Sequence, residues 1–267
     1  MKKEYPKIPS FFVPLWQISY IMIRNYNLGF ISNEDIYNHV KETVLKYLTF
    51  IDLKKFNDSL IDPIKLTFDA KVYGKTFEEI IDSESIRQID KANTNHIGYF
   101  HQNLFKYAGN GWEVPPKVFD VVNRTRKIYV EMKNKHNTMN STSGMGTMLK
   151  FLKQLTEDPE STCMLVEAIA KRSQNIIWKA SLNGVKYENE QIRRVSIDKF
   201  YEIVFDDKTA FMRLCKALPD ILDDVIADTH KGVIQNTVYS ELQQLSTNTL
   251  KSLYLLAFET YEGFDRF

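Results

Sequence analysis

Asp120, Glu131 and Lys133 are the residues of this chain whose types and spacing point to chemistry. Asp120 lies in the run Val118-Phe-Asp-Val-Val122, Glu131 and Lys133 lie in Ile128-Tyr-Val-Glu-Met-Lys133, and ten residues separate Asp120 from Glu131. On a strand, residues two apart share a face, so Glu131 and Lys133 point one way and Val130 and Met132 the other. A tight turn at 123–126 folds the two apolar runs into a hairpin and brings Asp120 beside them. Two carboxylates meeting near the mouth of a sheet repel each other unless a hard cation sits between them, which suits Mg²⁺ and its preference for oxygen ligands. A lysine alongside can orient and help deprotonate a water, and the metal can stabilise charge on a phosphoryl oxygen under attack. That chemistry is phosphodiester hydrolysis. An acidic residue followed by Glu-x-Lys also arises by chance, as a surface hairpin carrying an ion pair. Context weighs against the plain ion pair, because a charged pair set into the apolar strand from Ile128 to Met132 is costly if buried and is therefore more often functional.

The elements that must hold these residues can be read from periodicity and punctuation. Ser32 and Asn33 precede a helical pattern from Glu34 to Leu48. Alternating Leu66, Phe68, Ala70 and Val72 suggest a strand. Thr76 with Glu79 predicts a capping box for a helix to Ile89, and a second helix is expected from about Asn95 to Ala108. Gly109, Asn110, Gly111 and the Pro115-Pro116 pair then mark a loop. Beyond it the expected order is a strand at Lys117 to Asn123, a strand at Lys127 to Lys133, a helix to about Leu155, and an apolar strand from Cys163 to Ala170. Ser196 is the expected N-cap of a helix from Ile197 to Val204, followed by helices at Lys208 to Ala227 and Thr249 to Thr260. The fold class is α/β: a central mixed sheet flanked by helices, with helical additions at both ends. We expect one domain over 1–267, with a helical part at about 1–75, the core at about 76–205 and terminal helices at about 206–267.

Composition narrows the function classes. At 267 residues and 43% hydrophobic, the chain is long enough to bury a substantial core. Cys163 and Cys215 each lie in an apolar run and are read as reduced core residues of a cytoplasmic protein. The Met-Lys-Lys start is followed by Glu4, Pro6 and only a short apolar stretch from Phe11 to Trp16, which argues against a secretory signal, and no run is long enough to span a membrane. The net charge of +1 is uninformative, but its distribution is uneven. Residues 117–136 carry six basic side chains against two acidic, whereas 202–228 carry seven acidic against three basic, as fits a protein with one face turned to a polyanion.

Asp120, Glu131 and Lys133 resemble the PD-(D/E)xK nuclease motif, with Phe119 where the proline usually stands. The longer stretches 95–107, 109–115 and 130–140, together with 165–174 and 193–201, resemble the type II restriction endonucleases that cut GGNCC, the AsuI-type specificity. The 141–147 segment departs from that likeness, being rich in glycine and methionine. The resemblance implies that Asp120 and Glu131 ligate Mg²⁺ and that Lys133 handles the water. It implies hydrolysis of both strands of duplex DNA with 5′-phosphates left behind, a homodimer matched to the two-fold symmetry of the site, and a companion DNA methyltransferase acting on the same sequence.

Donors suited to phosphates and base edges follow the strand at Asn134, Lys135, His136 and Asn137, with Gln102, Arg124 and Arg126 as further candidates for DNA contact. Each of these also reads as an ordinary polar surface residue. Gln102 could approach the metal through water or be satisfied locally. His96 and His101 are five apart, off the spacing of a helical metal pair, and are taken as structural or DNA-facing. Glu167 reads as a paired core carboxylate, Trp112 as a packing residue, and Lys171, Arg172, Arg193 and Arg194 as solvated or phosphate-facing cations. Two other readings stay open: a repair or junction-resolving nuclease on the same core, and a DNA-binding protein without chemistry.

Overall fold

The computed structural model describes residues 24–264 apart from 137, 138, 140, 183 and 184. The stretch from Phe11 to Trp16 and residue Asn137 therefore lie outside the described residues. In chain order the elements are α1 (Asn33–Lys46), β1 (Phe50–Ile51), α2 (Leu53–Asp58), α3 (Pro63–Tyr73), α4 (Phe77–Leu104) with a 3₁₀ turn (Phe105–Ala108), β2 (Trp112–Glu113), β3 (Val121–Asn123) and β4 (Ile128–Lys135). They continue with α5 (Ser141–Glu157), β5 (Thr162–Ile169), β6 (Asn175–Ile177), β7 (Ala180–Leu182), β8 (Val185–Tyr187), β9 (Ile192–Ser196), α6 (Ile197–Phe205), α7 (Ala210–Thr229), β10 (Gln235–Asn236), α8 (Val238–Leu245) and α9 (Thr249–Phe258). The main sheet runs β2-β3-β4-β5-β9-β6. Its centre, β4-β5-β9, is parallel, and antiparallel strands flank it on both sides. The fold is the mixed α/β architecture expected.

The two sheet faces have separate cores. Val121, Ile128, Val130, Met164, Val166 and Val195 pack with buried side chains of α1, α4, α6 and α7. Val122, Cys163, Leu165 and Ile192 pack instead against Met148 and Phe151 of α5, with Phe119 and Trp178. The alternation of strand side chains thus assigns Tyr129, Glu131 and Lys133 to the α5 face, and Val130, Met132 and Asn134 to the face below α4. A third cluster, built from α2, α3, the first half of α4, α8 and α9, lies away from the sheet. Among the described residues no helix is long and apolar enough to cross a membrane.

Several elements correct the expectations. Residues 66–72 are helical, because Asp62 caps the Lys65 amide, Pro63 opens the first turn and Gly74 closes it in the left-handed region. Their even-numbered apolar residues satisfy either period: Leu66 and Ala70 are buried four apart while Phe68 and Val72 are exposed four apart. The two helices expected between 76 and 108 are one 28-residue helix behind the expected Thr76–Glu79 capping box. The strand expected from Lys117 begins only at Val121, since Val118 has a φ of 76° and cannot join a ladder. The hairpin turn is as expected: the Asn123 side-chain oxygen accepts the Arg126 amide at 2.9 Å. Cys163 is buried in the core, but Cys215 is exposed.

Candidate active site

β3 stops at Val121, whose register partner is Val130, so among the described residues the β4 edge beyond Val130 has no strand beside it. Asp120 fills that gap. Its amide donates to the Val130 carbonyl at 2.9 Å, and its side-chain Oδ2 accepts the Met132 amide at 2.7 Å. Both polar groups of a strand residue point to the same side, so the Met132 carbonyl faces this edge beside the Asp120 carboxylate. Gln102 reaches down from α4 and donates to the Asp120 carbonyl at 3.1 Å. The glutamine therefore fixes the backbone of Asp120 and is satisfied locally.

Glu131 rises from the next position on the α5 face and is 7% exposed. Its Oε2 lies 3.8 Å from the Lys133 ammonium. Its Oε1 accepts a hydrogen bond from Lys150 of α5. Burial pushes the Glu131 carboxyl above the ordinary range, the nearby Asp120 charge adds to this, and the Lys150 and Lys133 ammonium groups oppose it. The three expected residues thus converge at one sheet rim, and Lys150 joins them. Lys150 gave no sequence signal: it sits on the flank of the apolar arc Met148, Phe151, Leu152 and Leu155, where lysines routinely lay their stems.

The donor set suits a hard cation. Asp120 and Glu131 offer carboxylate oxygens and Met132 a carbonyl, while among the described residues no group of three or more His, Cys, Asp or Glu side chains could hold a metal. Oxygen donors without imidazole or thiolate fit Mg²⁺ or a similar ion, which keeps several waters, better than zinc. On the α4 side a cleft of about 470 Å³ opens onto Asp120, Lys133 and Asn134, bordered by Asn95, Tyr99 and Gln102.

The other expected contact residues are distributed differently. Asn134 donates to the Thr94 carbonyl at 3.1 Å, tying β4 to α4. Lys135 ends β4 as an exposed side chain. His136 is not a free donor: its Nδ1 lies 3.0 Å from Glu167 Oε2, and Arg194 bonds both to it and to Glu167. Glu167 is fully buried as a paired carboxylate, and it neighbours Lys133 in the strand register. Arg124 pairs with Glu113 at 3.6 Å. Arg126 donates to the Ile203 carbonyl and covers the buried Trp112. Both arginines belong to the hairpin turn, about 20 Å along β4 from Lys133, and are not gathered into the site. His101 borders the cleft with a sealed Nδ1 that has no partner among the described residues, and burial lowers its pKa to about 4, while the His96 ring lies 6.4 Å from that of Tyr47.

Comparison with known proteins agrees with this architecture. Residues 28–227, which include the whole main sheet, match the family model described as Eco47II restriction endonuclease. The chain is 30% identical over 214 residues to the type II restriction enzyme Sau96I of Staphylococcus aureus, covering 76% of this chain and 82% of that protein. It is 29% identical over 215 residues to the type II restriction enzyme Eco47II of Escherichia coli, covering 75% and 89% respectively.

Proposed function

The chain belongs to the Eco47II restriction endonuclease family, a family of type II restriction endonucleases acting on DNA, and from that premise we propose that Asp120, Glu131 and Lys133 form its PD-(D/E)xK catalytic centre. The observation that carries this reading is the Asp120 side chain bonded to the Met132 amide, between Glu131 and Lys133, at the point where β3 gives out. We propose Mg²⁺ as the divalent ion, which Asp120 and Glu131 would hold, with the Met132 carbonyl as a further oxygen donor. When bound, the ion supplies Lewis acidity toward the scissile phosphate.

The chain's own residues account for the rest of the step. The cleft between α4 and β4 admits the sugar–phosphate backbone beside Asp120. The Lys133 ammonium, fixed on the same strand face as Glu131, donates to the attacking water, orients it in line with the leaving 3′-oxygen and offsets charge on the phosphoryl group. Water oxygen joins phosphorus and gives up a proton to solvent, the bond from phosphorus to the 3′-oxygen breaks, and the 3′-oxygen takes a proton from solvent, so that a 5′-phosphate and a 3′-hydroxyl remain. Burial of Glu131 in the sheet shields its carboxylate from bulk solvent and would strengthen its hold on a cation.

The AsuI-type resemblance supports GGNCC as the site, with a homodimer presenting one centre to each strand and a companion methyltransferase protecting the host sequence. We assign DNA contact to Lys135, the exposed cation at the end of β4, and not to Arg124 or Arg126. The test is digestion of plasmid DNA with Mg²⁺. Discrete fragments ending at GGNCC support the proposal; random nicking, or retention on DNA without cutting, overturns it.

A further inference from the structure

We propose that Lys150 is a positioning residue for the carboxylate pair, tying α5 to both chain segments that supply it. The proposal rests on reading Asp120 and Glu131 as the metal-holding carboxylates. The Lys150 ammonium donates to Glu131 Oε1 on β4 and to the Val118 carbonyl in the approach to β3, and it stands 5.2 Å from the centre of the Phe119 ring. These partners come from the two arms of the β3–β4 hairpin.

Val118 explains why a cation is needed there. A β-branched residue at a φ of 76° is strained. The residue is 67% exposed, so little packing offsets that cost. What the conformation achieves is directional: Phe119 turns into the α5 core while Asp120, one residue on, turns its amide to Val130 and its carboxylate to Met132. The Lys150 hydrogen bond to the Val118 carbonyl and its contact with the Phe119 ring hold this turn. Its second hydrogen bond engages Oε1 of Glu131 and leaves Oε2 on the Lys133 side. One ammonium thus sets the orientation of both carboxylates, while Lys133 remains available for the water.

The experiment compares Lys150→Met, Lys150→Arg and Glu131→Gln with the parent protein. Three quantities are measured: Ca²⁺ affinity by calorimetry, single-turnover cleavage of a GGNCC duplex across Mg²⁺ concentrations, and thermal unfolding. Groups that orient metal ligands typically contribute 10–100-fold to affinity. Lys150→Met is therefore expected to weaken Ca²⁺ binding and raise the Mg²⁺ concentration for half-maximal cleavage by at least about tenfold, with unfolding near that of the parent. Lys150→Arg restores most of both. Parent-like Ca²⁺ affinity and Mg²⁺ dependence in Lys150→Met overturn the proposal, as does an equal loss in both lysine variants accompanied by early unfolding. Parent-like cleavage by Glu131→Gln instead overturns the underlying assignment of the carboxylates.

Discussion

Asp120 stands in for a missing strand beside Met132: its Oδ2 accepts the Met132 amide at 2.7 Å, the bond that a longer β3 would otherwise supply. The same carboxylate completes the sheet and stands at the proposed metal site. Asp120→Asn keeps the acceptor and the volume while removing the charge. Cleavage should fall at least on the order of 10²–10³-fold, with unfolding nearly unchanged and metal-free DNA retention preserved. Gel-shift and digestion assays on one preparation check this; Asp120→Asn cleaving at the parent rate removes Asp120 from the centre.

Glu131→Ala and Lys133→Ala should each abolish cutting while leaving DNA binding largely intact. Binding in Ca²⁺ separates the two functions, since it measures affinity without turnover. Full activity in either variant refutes the assignment.

Glu167 predicts a stability effect in place of a loss of chemistry. It is fully buried and paired with Arg194 and His136, so Glu167→Ala strands a guanidinium in the sheet. The expected destabilisation is about 3–5 kcal/mol, read as a lower urea midpoint, with cleavage persisting at temperatures where the variant is folded. An unchanged midpoint would show that the pair contributes nothing.

The neutral histidines predict acid lability. Burial lowers the pKa of His101 from 6.5 to about 4, and burial also lowers that of His39, whose Nε2 lies 2.8 Å from the Phe100 carbonyl. The unfolded chain takes up a proton at His101 near pH 6.5, before the folded chain does. The stability due to this group is therefore complete above pH 6.5 and is lost as pH falls toward 4, a change of up to about 3 kcal/mol. His101→Phe should flatten the pH dependence of the urea midpoint over that interval, and an unaltered slope counts against the reading.

Much of β4 was legible in the sequence because it alternates cleanly: charges at Glu131 and Lys133, apolar side chains at Val130 and Met132, and a turn fixed by Asn123. Three kinds of information were not local. Leu66 to Val72 fit a strand or a helix equally, and only the caps at Asp62 and Gly74 decide between them. The strained Val118 left no trace in residue type, since valine favours the extended backbone that it here abandons. Lys150 and Arg194 acquire meaning only through the packing of α5 and β9 around Glu131 and Glu167, carboxylates 19 and 27 residues away in sequence.

The unbroken run of α4 has a mechanical consequence. Ile80, Ile81 and Ile89 anchor one end in the cluster away from the sheet, Phe100 and Leu104 anchor the other in the sheet core, and Gln102 grips the Asp120 backbone. At 28 residues the rod is about 42 Å long. Unbroken over that length, it ties the outlying helices to the backbone of Asp120 at the proposed cutting site.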